Sequence, residues 1–443
     1  MSVATTPIIQ MDIPNEKILI YKGDFILKNL RSESIIINGE VYFKWFPNIG
    51  AKFFGKISNG IITNPFIFEG ALELIINENV VGKCLVTNQT IDEIHKLSGE
   101  FLNDVIIGDK SLKAQKFKFS LLNFQDFLGE NIVSDNNGIT TLSRGRILLK
   151  HESFEVYIDK DIFYKEKFKL LKEEGGYQIL YNGEINFFKD SMGFEEIKGL
   201  IKAIGVFLSF VSGKKNSPLF TTAIYQDEIL YKDFSCDIIK SYEYRHIWCN
   251  LNSTHYLNNL FLNFYQIWKS NSDNEFFLSS IVHWYINVNC NTSYNEGSLV
   301  IAQTALELLY NWLIVENKKL IIGKDSESIS AASKIRLLIS HLSITYDVPS
   351  KFENLEIYRK DNKLNDGVEA IVQIRNAIVH SQEAKRLKLK KINDMAIYES
   401  VQLSLWYIEL VVLYILKFED KYVNRCSNEN VVAKKLEMVP WFK

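Results

Sequence analysis

The chain is 443 residues long, enough for two or three domains, because a single hydrophobic core rarely grows past about 250 residues. Its 47% hydrophobic and 23% charged residues are those of a soluble globular protein. A formal net charge of −2 excludes a global attraction to nucleic acid or anionic membrane, so any polyanion has to meet a local patch.

Five cysteines, Cys84, Cys236, Cys249, Cys290 and Cys426, are odd in number and widely spaced. That suits a reducing compartment better than a disulfide framework, and none has a CxxC or Cys/His metal spacing, so neither a metal nor another cofactor is expected. The opening residues lack the basic start and continuous apolar core of a signal peptide, which predicts a cytoplasmic protein.

From Lys17 to Lys150 the pattern is short and β-like: KILIYKGDFILKNL, SIIINGEVYFKWF, AKFFGKISNGIITNPFIFEGALELII and KAQKFKFSLLNF. Ile, Phe, Val and Tyr dominate these runs, and Asn38-Gly39 and Asn59-Gly60 read as hairpin turns. An antiparallel sandwich or barrel over residues 1–140 is expected. Residues 141–250 read as a mixed α+β domain, with strands in RILLKHESFEVYID and YQILYNGEINFF and a helix between Met192 and Val211 that Gly213 stops.

Residues 251–443 read as all helical. Helices are expected over Leu257–Ser270, Glu275–Asn287, Ser298–Glu316, Ser330–Leu342, Gly367–His380 and Asp394–Tyr422. Inside the last, Leu403–Phe418 is almost continuously apolar. It is short for a span of about 20 residues, and Glu409 near its middle would be costly in lipid, so it predicts no membrane passage. The expectation is a core helix, apolar nearly all round because it packs both inside its own bundle and against a partner. The whole is an α+β chain whose β-rich N-terminal half precedes a helical bundle.

The helix DGVEAIVQIRNAIVH carries the chemistry. Asp366 can cap it, with Glu369 reaching back in a capping box, and Val368, Ile371, Val372, Ile378 and Val379 recur at helical spacing. Glu369, Gln373, Asn376 and His380 fall on one polar line, whereas Arg375 falls in the apolar stripe. Arg375 alone could be a buried anchor paired with an acid, and His380 alone could cap the last carbonyls. Phosphate-loop, G-x-S-x-G, H-E-x-x-H and kinase signatures are absent, which removes the usual nucleotide, hydrolase and metalloprotease chemistries.

Arg375-Asn376-Ala377-Ile378-Val379-His380 resembles R-N-x-x-x-H, the signature of HEPN domains, and the helices before and after it suit that family. The resemblance covers about Asp273 to Arg425. From about Arg144 the chain also resembles the middle part of bacterial proteins with an Apea-like or YopA-central-type region before their HEPN domain. Members are all-helical, usually dimeric, and many are metal-independent ribonucleases of anti-phage or toxin systems. The resemblance therefore implies an endoribonuclease that acts on RNA as a homodimer through the C-terminal helical domain, with a phage-derived or operon-encoded trigger and a β-rich sensing or substrate-presenting region. His380 is followed by Ser381 and Gln382, not by the x-Tyr of toxins held by nucleotidyltransferase antitoxins, so that control is not implied.

Cleavage by RNA's own 2′-hydroxyl needs a base, an acid and positive charge on the phosphorane. Imidazole suits the first two and guanidinium the third, so Arg375, Asn376 and His380 are the expected catalytic group, without metal. One histidine per motif makes a composite dimer site the natural arrangement. Glu307 is the acid expected to support Arg375. The run KRLKLKK, with Lys385, Arg386, Lys388, Lys390 and Lys391, is the expected RNA-backbone track. The alternative is a non-catalytic HEPN scaffold that dimerises and binds RNA, a nucleotide or a protein partner.

Overall fold

The computed structural model describes residues 3–442 except 59–67, 92–94, 103, 137–138, 190, 236–238, 292–294, 381–386 and 388. The chain forms two compact units, Met1–Gly205 with Asn216–Glu243, and Val206–Lys215 with Tyr244–Lys443. The fold is α+β, with strands in the N-terminal half and helices in the C-terminal half.

The first unit begins with a closed antiparallel barrel of six strands, β1 (Ile18–Lys28), β2 (Ser34–Lys44), β3 (Gly50–Ile57), β4 (Leu72–Ile76), β5 (Asn79–Ile91) and β6 (His95–Phe101), in the order β1-β2-β3-β6-β5-β4. Alternate residues such as Phe25, Leu27, Val41, Phe43, Phe53, Leu72 and Leu74 fill its interior. Asn38-Gly39 is not a turn: it lies within β2, Gly39 facing Gly23 on one neighbour and Gly55 on the other. A Cβ at Gly39 would sit 2.1 Å from the Phe54 carbonyl oxygen, so this glycine serves close strand approach. The β1–β2 turn is built instead by Asn29, whose Oδ1 accepts from the amides of Arg31 and Glu33. Asn59-Gly60 lies outside the described residues.

Eight further antiparallel strands, β7 (Ile106–Gly108), β8 (Lys116–Leu122), β9 (Glu130–Asn136), β10 (Ile139–Lys150), β11 (Phe154–Lys160), β12 (Ile179–Phe187), β13 (Leu219–Tyr225) and β14 (Glu228–Asp233), form one sheet in the order β7-β14-β13-β8-β12-β11-β10-β9. Residues 106–136 therefore share a sheet with residues 139–233, and a division at residue 140 cuts through it. Helix α1 (Tyr164–Glu174) lies between β11 and β12 in sequence, and α2 (Phe194–Ser212) between β12 and β13, ending at Gly213 with φ +64°. The buried pair Arg146–Asp159 joins β10 to β11, and also binds the Val3 carbonyl and the Thr5 amide.

The second unit holds α3 (Leu257–Trp268), α4 (Ser272–Cys290), α5 (Asn295–Tyr310), α6 (Lys324–Ser328), α7 (Ala331–His341), α8 (Glu353–Asp361), α9 (Gly367–Val379) and α10 (Asp394–Ile415). A π-helical stretch, Asn311–Asn317, continues α5. The α5–π segment and α10 are long and apolar enough to cross a membrane, but α10 packs against α4, α5, α7, α8 and α9, all in its own unit. That cover explains why α10 is buried on nearly every side without calling on a partner. It ends at Ile415, short of the expected Tyr422, with Lys417 in the left-handed region. Lys421–Val423 then becomes β15, paired with β16 (Leu436–Met438).

Glu409, fully buried in α10, receives the Arg425 fork at 2.9 and 2.5 Å and the Tyr285 hydroxyl at 2.8 Å. Two further Arg425 hydrogens reach Gln402 and Asn289. Burial alone would lower the Arg425 pKa, but the Glu409 carboxylate reverses the sign and holds it above the ordinary arginine value. Glu409→Leu should cost about 3–5 kcal/mol in urea denaturation, since it strands a buried cation, and the double variant with Arg425→Met should recover part of that loss.

Candidate functional site

Helix α9 starts where the sequence places it. Asp366, in extended conformation, accepts the Glu369 amide at 2.8 Å. Glu369 reaches back one residue further than a capping box, to the Asn365 amide and side-chain nitrogen at 2.8 and 2.7 Å. Asp366 also takes the Arg336 fork from α7 at 2.5 and 3.0 Å, which ties the two helices together and raises the Arg336 pKa. Val368, Ala370, Ile371, Val372, Ile374 and Ala377 are buried, while Val379 at the far end is exposed.

The motif lies at that far end. Arg375 is half-buried, and its Nη1 reaches Asn376 Oδ1 at 3.4 Å, a long contact at the edge of hydrogen-bonding range. Its Nε is shut off from solvent with no acceptor, and among the described residues it makes no ion pair. His380 leaves the helix at φ −87°, ψ 101°, donates its amide to the Asn376 carbonyl at 3.2 Å and is exposed. Arg375 and Asn376 are thus in contact, and His380 follows one turn later.

The expected support from Glu307 needs correcting. Glu307 pairs with Lys334 of α7 at 2.9 Å, not with Arg375. All three nevertheless border one cavity of about 120 Å³, lined by Gln303, Thr304 and Glu307 of α5, Ala331, Lys334 and Ile335 of α7, and Arg375. Gln303 and Lys334 were not singled out from sequence. The available signal was Gln303 itself, an amide among Ala302, Ala305 and Leu306, which are fully buried. Lys390 and Lys391 are exposed just before α10, whereas Lys385, Arg386 and Lys388 lie outside the described residues. Among the described residues, no three His, Cys, Asp or Glu side chains converge as a metal ligand set would.

Comparison with known proteins adds the lineage. Residues 109–245 match the YopA central domain and residues 271–437 the YopA C-terminal domain. The chain is 29% identical over 437 residues to the SPbeta prophage-derived uncharacterized protein YopA of Bacillus subtilis (strain 168), covering 96% of this chain and 95% of that protein. No solved structure matches. Two domains in the same order and a full-length relative support a YopA-type family for this chain, with Arg375, Asn376 and His380 inside its C-terminal domain.

Proposed function

We propose that the helical unit is a HEPN-type endoribonuclease that cleaves RNA without metal, acts as a homodimer in the cytoplasm, and serves a bacterial anti-phage or toxin-like defence. The β-rich unit would sense a phage-derived or operon-encoded trigger, or present substrate. One observation carries the reading: Arg375 is held half-buried, beside a cavity and next to Asn376, without a carboxylate on its fork. An arginine kept only for packing needs an acid, because an unpaired buried cation is costly. An arginine that stabilises a phosphorane must instead keep its donors open.

The exposed His380 supplies the group that moves the proton, because an imidazole can both accept and donate one. One imidazole takes the 2′-hydroxyl proton as the 2′-oxygen attacks phosphorus, and a second, from the other copy, protonates the departing 5′-oxygen. The products are a 2′,3′-cyclic phosphate and a 5′-hydroxyl. The relative's prophage origin suits an RNA-cutting arrest in competition between phages. A non-catalytic scaffold that binds RNA, nucleotide or protein is the second reading. It is favoured by the His380 ring, which has no orienting hydrogen bond among the described residues.

End-group analysis of RNA incubated with the purified protein, with and without EDTA, separates these readings. Cyclic phosphate ends that survive the chelator are expected, while 3′-hydroxyl ends or loss of cutting in EDTA would reject the mechanism. His380→Ala should abolish cleavage and move stability by no more than about 1–2 kcal/mol. Binding of RNA with no cutting by the wild type would select the scaffold. Arg375→Lys should be nearly as damaging as Arg375→Ala, because a point charge cannot reproduce the fork. Sedimentation should give a dimer at micromolar concentration, and a monomer there would remove the composite site.

A further inference from the structure

We infer that the cavity between α5, α7 and α9 is an oxyanion subsite in which Gln303, Lys334 and Arg375 hold a phosphoryl group. This deepens the proposed function by naming the ligand chemistry beside the motif, and it rests on that reading only for taking the phosphate from RNA.

Two residues that line the cavity carry buried donors without acceptors. Gln303 is 8% exposed and its Nε2 has no hydrogen-bond partner, and Arg375 Nε is in the same state. A desolvated donor left unpaired costs free energy, so two at one cavity mark a place where a ligand supplies the acceptors. Lys334 and Arg375 bring two positive charges against the single Glu307 carboxylate, leaving a surplus of one. Thr304 gives its hydroxyl proton to the Val300 carbonyl at 3.0 Å and adds no further donor. The first turn of α7, from Ala331 to Lys334, borders the same space, so the positive end of that helix adds to the field.

The space suits that ligand. The cavity, about 120 Å³, has room for one tetrahedral oxyanion. A phosphate carried on a longer molecule could seat there as well. The source is then either one backbone phosphate of RNA or the phosphate of a free nucleotide.

Thermal melting of the full chain with inorganic phosphate tests the subsite. Millimolar phosphate should raise the melting temperature, and chloride at equal ionic strength should not. Gln303→Met, which replaces the orphan amide by an apolar side chain of similar length, should melt no lower without phosphate and lose the phosphate-dependent rise. Lys334→Met should weaken phosphate binding about tenfold, and it provides an independent variant if the first misfolds. No rise in the wild type, or an undiminished rise in both variants, would overturn the subsite. Competition by 2′-O-methyl RNA identifies a backbone phosphate as the source, and tighter competition by a nucleoside monophosphate identifies a free nucleotide. Loss of RNA cutting with the phosphate rise intact would sink the nuclease reading alone, whereas cutting without any Gln303-dependent phosphate binding would sink the subsite alone.

Discussion

A carboxylate placed inside an apolar helix determines how the helical unit assembles. Helix α10 is buried on almost every side, and a helix of that kind could slide or rotate among its neighbours at little cost if shape alone held it. Glu409 removes that freedom, because its charge is satisfied only where Tyr285 and Arg425 meet it together. Any other register leaves a charge in the interior without partners. With α10 fixed, α5 and α9, which both pack against it, acquire the positions that enclose the cavity beside Arg375.

The unit treats its arginines unequally. Arg425 and Arg336 each give two hydrogen bonds to one carboxylate, Glu409 and Asp366, and each joins elements distant in sequence. Arg375 borders the same cavity as Glu307, yet Lys334 holds that carboxylate. The Arg425 and Arg336 forks are therefore each satisfied by a carboxylate within the unit, while Arg375 has a buried donor without an acceptor. A paired fork would be neutralised before any phosphate arrived, so the division of acids between these three residues is what an anion-binding role requires.

How much of this could be read in advance follows from which forces are local. Helix α9 was legible because Asp366 and the spacing of Val368, Ile371 and Val372 act within a few residues. Helix α8 was not, since Leu355 is its one residue buried enough to carry a pattern. Asn38-Gly39 misled because glycine serves both turns and close strand contact, and the partner that decides, Gly55, lies sixteen positions on. The same limit governed the site. Arg375, Asn376 and His380 share a short stretch and stood out, but whether Glu307 would take Arg375 or Lys334 depends on the packing of α5 against α7, which no local pattern encodes. Strand content was legible across the N-terminal half, whereas the change from barrel to sheet after β6 was not, because both sides are rich in Ile, Phe and Val.

The cover over α10 also constrains how a composite site can form. An apolar helix that looks in sequence like spare surface for a second copy is enclosed by its own unit beyond its first turns. Exposed apolar side chains do occur around the motif: Val379 at the end of α9, Leu387 beyond it, and Met395 and Tyr398 in the first turns of α10. They lie on the stretch that carries the exposed His380, whereas Arg375 turns toward Asn376 and the α5–α7 cavity. In the proposed dimer, a pairing of copies over these residues would bring the two exposed His380 residues toward each other. Each phosphate would then be gripped by one chain's arginine while the proton transfers were shared between chains, a division in which one copy can bind the anion but neither can complete the reaction alone.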